Sequence, residues 1–331
     1  MAAGEGEIIE RYFRHLGAVR TDVALGIGDD AALLRPAPGC ELVQSTDALV
    51  EQVHFLPGSA PRSLGHRALA VNLSDLAAMG ATPAWALLSL TLPRLDESWL
   101  GEFASGFARL AREHEVALVG GNLSRGPLSI TVQLTGQVPQ GTALRRSGAR
   151  AGDELWVSGT LGDAAQGLVL RRAESRAESR AQAPLPDAGG HAAWLCARFE
   201  YPSPRVALGL GLRQLASACI DLSDGLLADL PRLAAASGCR AEVDTESLPL
   251  SPALRAVSGD PAWQQALAGG EDYELCFTAG AAQAPQLQEL ATAVGVPLCR
   301  CGRLREGSGL ELRRAGTVIQ FAQPPFDHFG A

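Results

Sequence analysis

Apolar positions in this chain recur in two rhythms. Near the start, Ile8, Ile9, Tyr12, Phe13 and Leu16 fall on one face of a helix. Short apolar runs follow, and Leu42–Thr46, Ala84–Leu92, Ala117–Gly120 and Leu128–Gly136 have the length and flanking residues of strands. Between them, Ser63 is placed to cap a helix that runs to Met79 and stops at Gly80. Asp96 is placed to cap another that ends near His114. The alternation is that of an α/β fold.

After the turn-like stretch Gly148–Asp153, a strand over Glu154–Ser158 opens a second half. The pattern there predicts helices over Asp163–Arg172 and Pro204–Leu215, a strand over Ala218–Leu222 and a helix over Leu226–Ser237. A strand over Tyr273–Thr278, a helix over Ala282–Val294 and two or three short terminal strands complete it. The expected domains are residues 1–149 and 150–331. One stretch breaks the rhythm. Ala173–Arg180 reads as a tandem AESR duplication before Pro184 and Pro186, which predicts a mobile surface insertion over 173–190.

Composition narrows the chemistry. The 331 residues carry 28 basic and 36 acidic side chains, a net charge of −8, and every basic one is Arg. Without Lys there is no P-loop lysine, no protein-kinase strand lysine and no lysine Schiff base. An acidic chain without a basic block is a poor nucleic-acid binder. No apolar run reaches the ~20 residues that span a bilayer, and no secretory leader is read at the start. Seven scattered Cys, with Cys299 and Cys301 the one close pair, predict reduced thiols in a cytoplasm. Neither a G-x-S-x-G elbow nor an H-E-x-x-H run is present, which argues against a serine hydrolase or a zinc protease.

Carboxylates concentrate beside strand ends and helix starts. Asp29 and Asp30 follow Leu25-Gly26-Ile27-Gly28, and Asp47 closes Ser45-Thr46-Asp47. Asp221 and Asp224 lie in Ile220-Asp221-Leu222-Ser223-Asp224-Gly225, and Glu271 and Asp272 follow Gly269-Gly270. Strand ends are where α/β folds bind ligands, and oxygen donors gathered there suit Mg²⁺ bridging to substrate phosphates. Singly, each motif reads equally as a turn or a helix cap. Asp75 is different, because Leu69, Leu73, Leu76 and Met79 set an apolar stripe around it and a carboxylate there needs a partner. Together these clusters point to a metal-assisted site for an anionic substrate. Gly120-Gly121-Asn122 is either a tight turn or a place where backbone N–H groups meet phosphate oxygens. Arg125, Arg145 and Arg146 are a phosphate clamp or a solvated edge. His54 is a base, a substrate contact or a structural histidine.

These residues resemble a known family. Gly26-Ile27-Gly28-Asp29-Asp30, Ser45-Thr46-Asp47, His54-Phe55, Asn72-Leu73-Ser74-Asp75-Leu76-Ala77-Ala78-Met79-Gly80-Ala81, Asp221-Leu222-Ser223-Asp224-Gly225 and Gly269-Gly270-Glu271-Asp272-Tyr273-Glu274-Leu275 occur in the order found in thiamine-monophosphate kinases. The resemblance extends to Phe326-Asp327-His328-Phe329. It implies a PurM-like two-domain fold, that of the aminoimidazole-ribonucleotide synthetase superfamily. The N-terminal α/β domain would have a mixed sheet and form a homodimer, and the C-terminal domain would be α+β. The implied activity is transfer of the γ-phosphoryl group of ATP, the co-substrate, to thiamine monophosphate with several Mg²⁺ ions. Asp30, Ser45, Thr46, Asp47, Asp75, Asp221 and Asp224 match the metal positions. Gly121, Asn122, Arg146 and Ser223 match ATP contacts, and His54, Glu271 and Phe326 match contacts to thiamine monophosphate.

There is one departure. The family's metal-binding Asp after the glycine pair is Asn122 here, followed by Leu123 and Ser124 in place of two Thr. Asn keeps a carbonyl oxygen but loses a charge, so weakened metal binding is expected, and an impaired or non-catalytic homologue is the alternative. Phe326 replaces a more usual Tyr or Trp and keeps a ring for stacking. Within the superfamily, the missing Lys argues against a selenophosphate synthetase. The ending Phe329-Gly330-Ala331 lacks the modifiable Cys of the hydrogenase-maturation relative.

Overall fold

The computed structural model describes residues 4–179 and 188–321. It divides into two compact units. One holds the described residues up to Leu76 together with Ala81–Thr142, and the other holds Ala77–Gly80 with the described residues from Ala143 onward.

The first unit opens with α1 (Glu5–Ile8), prolonged by a π-helical turn over Ile9–Phe13 that buries Phe13. A short hairpin follows, β1 (Val23–Leu25) with β2 (Leu33–Leu34). Next come β3 (Cys40–Val50), α2 (Pro61–Ala78), β4 (Thr82–Leu92), α3 (Glu97–Glu113), β5 (Ala117–Arg125) and β6 (Ser129–Pro139). The four long strands form one sheet in the order β3-β6-β4-β5, antiparallel except for the β4–β5 pair. Ile130, Val132 and Leu134 of β6 are fully buried. At the β4–β5 edge, Trp85, Ala117 and Val119 pack against Val23 and Leu34 of the hairpin.

Several helix ends differ from the expected ones. Asp96 caps α3, accepting the Trp99 N–H at 3.1 Å. Ser63 caps nothing: Pro61 starts α2 two residues earlier, where its missing N–H is harmless, and the Ser63 hydroxyl donates to the Ala60 carbonyl at 2.8 Å. The glycine pair also departs from expectation. β5 runs through Gly120-Gly121 to Arg125, with a register shift opposite Ala86/Leu87, so no turn forms there.

In the second unit β7 (Glu154–Ser158) leads into α4 (Asp163–Ser179), α5 (His191–Glu200) and α6 (Val206–Leu212). Then come β8 (Ala218–Leu222), α7 (Leu226–Ala236), β9 (Cys239–Asp244), α8 (Pro252–Ser258) and α9 (Ala262–Ala268). β10 (Glu274–Ala279), α10 (Ala284–Val294), β11 (Leu298–Glu306), β12 (Gly309–Arg314) and β13 (Thr317–Ile319) complete it. Seven strands form one sheet in the order β13-β12-β9-β11-β7-β10-β8, antiparallel except for β12 against β9. One core gathers Leu155, Val157, Ile220, Leu230, Val243 and Cys276. The duplicated segment is a correction in part. Ala173–Ser179 prolongs α4 as helix, because Ala, Glu and Arg are helix formers, while residues 180–187 of the expected insertion lie outside the described ones.

Glu274 is one of the buried carboxylates of this unit, and three elements converge on it. It is fully buried, accepts the Ser158 hydroxyl at 2.6 Å, pairs with Arg198 at 3.0 Å, and is gripped by Arg205 through Nε at 2.6 Å and through Nη2. Removing one partner of such a group leaves the others charged without water. Glu274→Leu should therefore cost roughly 3–5 kcal/mol, read as a lowered urea midpoint. A loss below about 1 kcal/mol would mean that the two guanidinium groups reach solvent.

Candidate active site

The first unit presents its candidate residues on β3, α2, β5 and two loops. A strand's period of two puts Val43, Ser45, Asp47 and Leu49 on one face of β3 and Gln44, Thr46 and Ala48 on the other. The first face is half-buried to buried, the second exposed. Asp75, half-buried on α2, receives a hydrogen bond from the Ser45 hydroxyl, so α2 and β3 bring Ser45, Asp47 and Asp75 to the same side of the sheet. Thr46 is not with them: its hydroxyl donates to the Val132 carbonyl at 3.2 Å. Asp30 is exposed in the loop after β1, where the Asp29 carboxylate accepts its N–H at 2.8 Å. That hairpin is tied down by Asp22, which takes the Arg20 guanidinium at 2.6 Å and the Trp85 indole N–H at 3.0 Å. Chiefly the Arg20 bond holds the Asp22 carboxyl below its ordinary value. Asp22 was not among the sequence candidates, and an Arg two residues before a carboxylate is a weak signal for a tether.

Gly121 has a specific reason to be glycine. Its φ is +154°, and a Cβ there would sit 1.8 Å from the Leu88 carbonyl oxygen. Asn122 follows on the strand, exposed, in register with Ser89. Ser124 pairs with the Thr91 hydroxyl at 3.0 Å, so the departures from the family pattern sit in regular β structure. His54 lies in a tight loop after β3, its Nδ1 accepting the Val50 N–H at 3.1 Å. In the neutral ring that bond leaves the proton on Nε2.

The second unit carries Arg146, Asp221, Ser223, Asp224 and Glu271. Arg146 is exposed in the segment before β7, its carbonyl held by the Ser237 hydroxyl at 3.0 Å. Asp221 is buried on β8, paired in register with Leu275. The turn after β8 is organised by Asp229, a residue the motif reading passed over. Its Oδ2 accepts the N–H groups of Asp224 at 3.0 Å and Gly225 at 3.1 Å. Arg232 bridges Asp229 at 2.7 Å and Asp224 at 2.9 Å. Burial first, then the Asp224 charge, push the Asp229 carboxyl up to about 6. The available signal was an Asp in the first turn of a helix that follows Ser-Asp-Gly. Glu271 is half-buried, and its N–H donates to the Ser223 carbonyl at 2.8 Å. Phe326 lies outside the described residues.

Among the described residues no three His, Cys, Asp or Glu form a ready cage for a metal ion. The donors brought together by β3 and α2 are hydroxyl and carboxylate oxygens, with no thiol. That set fits Mg²⁺, which is held by one or two carboxylates with waters and substrate phosphates rather than by an all-protein cage.

Carboxylates on strands, a helix and the adjoining loops of two mixed-sheet units define a class. Residues 28–138 match the model of the AIR synthase related protein N-terminal domain, and residues 150–314 that of its C-terminal domain. The chain is 45% identical over 331 residues to thiamine-monophosphate kinase of Salmonella typhimurium, covering 99% of each. It is similar to the crystal structure of thiamine-monophosphate kinase from Stenotrophomonas maltophilia at 48% identity and a TM-score of 0.82, covering 91% of this chain and 93% of that one. The AaThiL structure complexed with AMPPCP and TMP is 35% identical with a TM-score of 0.76, covering 92% of each. The chain belongs to the thiamine-monophosphate kinase family of enzymes, with the PurM-like fold.

The site also contains a titratable anchor. The Asp272 carboxyl is pushed up from 3.8 to about 7, mainly by burial and further by Asp163, against the N–H groups of Gly162 and Ala164 that it accepts. Between those values the folded chain holds a proton that the unfolded chain has released. Stability should therefore fall as pH rises across this window and level off above it. Melting temperatures of the native chain and Asp272→Asn across that range test this. The native-minus-variant difference should decline with pH, and a flat difference would refute the raised value.

Proposed function

We propose that the chain transfers the terminal phosphoryl group of ATP directly to the phosphate of thiamine monophosphate, giving thiamine diphosphate and ADP. The observation that carries this reading is the 45% identity along 99% of the chain to a thiamine-monophosphate kinase. The relative complexed with AMPPCP and TMP supports ATP as the co-substrate.

Asp30, Ser45, Asp47, Asp75, Asn122, Asp221 and Asp224 are the residues that would hold several Mg²⁺ ions, while the side chain of Thr46, the other expected ligand, lies on the opposite face of β3. Bound there, Mg²⁺ would neutralise phosphate charge. Gly121 leaves its backbone open to a phosphate, and Arg146 offers a planar fork to phosphate oxygens. Ser223 contacts the nucleotide, while His54 donates from Nε2 and Glu271 accepts from thiamine monophosphate. Phe326 supplies a ring to the same substrate. None of these is a covalent nucleophile, so the attacking atom is the acceptor's own phosphate oxygen. The chain's work is orientation and charge balance.

The domains 1–149 and 150–331 divide these tasks in the same reading. A homodimer through the N-terminal domain is supported by β3, an 11-residue strand at the edge of its sheet. A cytoplasmic location is supported by the seven free cysteines. Among the described residues no helix is long and apolar enough to cross a membrane. Neither membrane nor nucleic acid is a partner in this reading.

ADP release should require thiamine monophosphate and Mg²⁺ together, with unphosphorylated thiamine a poor acceptor. ATP turnover indifferent to thiamine monophosphate would refute the assignment and favour the impaired homologue. Asp47→Ala and Asp75→Ala should each lower kcat by at least about a hundredfold with unchanged circular dichroism. Asn122→Asp adds a charge beside Ser89. It should lower the Mg²⁺ concentration for half-maximal rate on the order of tenfold, or ~1.4 kcal/mol. An unchanged or higher Mg²⁺ requirement would remove Asn122 from the ligand set.

A further inference from the structure

Asp272 has no part in the reaction as described, yet it is 3% exposed and lies between two left-handed residues. Glu271 has φ +75° and Tyr273 has φ +52°. Neither is glycine, and such conformations persist only where the surroundings over-determine them. The loop is held from two sides. On one, the N–H groups of Glu271 and Tyr273 donate to the Ser223 and Leu222 carbonyls at 2.8 and 2.9 Å. Gly270 lies so close to this turn that a Cβ would be 2.5 Å from the Ser223 carbonyl oxygen. On the other, the Asp272 carboxylate accepts the Gly162 N–H at 2.6 Å and the Ala164 N–H at 3.1 Å.

The second tether also caps the start of α4. A helix start is ordinarily capped by a side chain of its own segment. Here the residue before α4 is Gly162, which has no side chain, and the Thr160 hydroxyl bonds the Asp163 side chain. The two N–H groups are met by a carboxylate 108 and 110 residues further along the chain. The bond therefore couples the position of the Glu271 loop to the first turn of α4.

We propose that Asp272 is a positioning residue for substrate recognition: by anchoring its loop to the start of α4, it forces Glu271 into the left-handed conformation that directs its carboxylate to thiamine monophosphate. This rests on the assignment of Glu271 as a substrate contact. The Asp224-Gly225 turn has a tether of its own, the Asp229 carboxylate, that does not involve Asp272.

Steady-state kinetics on the full chain test the inference, with Asp272→Asn, Asp272→Ala, Glu271→Gln and the Asp272→Asn/Glu271→Gln double variant. Asp272→Asn keeps one acceptor oxygen and should raise KM for thiamine monophosphate about tenfold, with KM for ATP nearly unchanged. Asp272→Ala should raise it further, and where that variant fails to fold, Asp272→Asn decides. In the Glu271→Gln background, Asp272→Asn should add little, because the group it positions is already altered. Additive effects, an equal rise in both KM values or no change would overturn the positioning role. An unchanged KM for thiamine monophosphate in Glu271→Gln alone would instead overturn the role of Glu271, and the inference with it.

Discussion

A carboxylate removed from water has to be met by donors, and the candidate edge of the second unit is built around two that are. Asp272 and Glu274 flank Tyr273 where β10 begins, and both are buried. Glu274 takes a hydroxyl from β7 and guanidinium groups from Arg198 and Arg205, while Asp272 takes two N–H groups at the start of α4. Such arrangements add little net stability compared with apolar packing, but breaking them is costly. Their effect is to specify position. With the start of β10 fixed, register pairing fixes Leu222 opposite Glu274 and Asp221 opposite Leu275. The turn carrying Ser223 and Asp224 follows β8, where Asp229 and Arg232 hold it.

The first unit carries candidate groups on a long strand and a long helix. The pleat of β3 sends Ser45 and Asp47 to the side of α2 that carries Asp75, and Thr46 to the other side. The hydrogen bond from Ser45 helps to orient Asp75. Gly121 lies against the Leu88 carbonyl because it has no side chain, which keeps β5 regular as it delivers Asn122 to the surface.

The legible parts of this fold are those where one local signal had no competitor. Glu154–Ser158 and Ala218–Leu222 coincide with strands because both are buried apolar runs closed by turn residues. Asp96 was readable as a cap because its side chain serves its own helix. Ser63 was misleading because Pro61, two residues earlier, is the stronger start signal. Gly120-Gly121 looked like a turn because glycine marks turns and close approaches alike, and only the neighbouring strand distinguishes them. The short elements α5, α8, α9 and β9 were missed, since a few turns of helix or six residues of strand give too little period to count. At the site, the motif carboxylates were visible as a series, but the residues that hold them were not. Asp22 and Asp229 serve as tethers that the motifs do not mark, and Asp272, visible as a motif carboxylate, bonds backbone 108 and 110 residues away, which no spacing in the sequence records.

The absence of Lys has a structural consequence beyond the exclusions it permits. Every cation that meets a carboxylate here presents a planar fork, and Arg205 uses it to bind Glu274 through two nitrogens while Arg198 approaches the same oxygen pair. An ammonium is more strongly hydrated than a guanidinium and offers a point charge rather than a matched pair of donors. Arg232 works differently at the turn after β8, reaching the buried Asp229 and the half-buried Asp224 from one nitrogen.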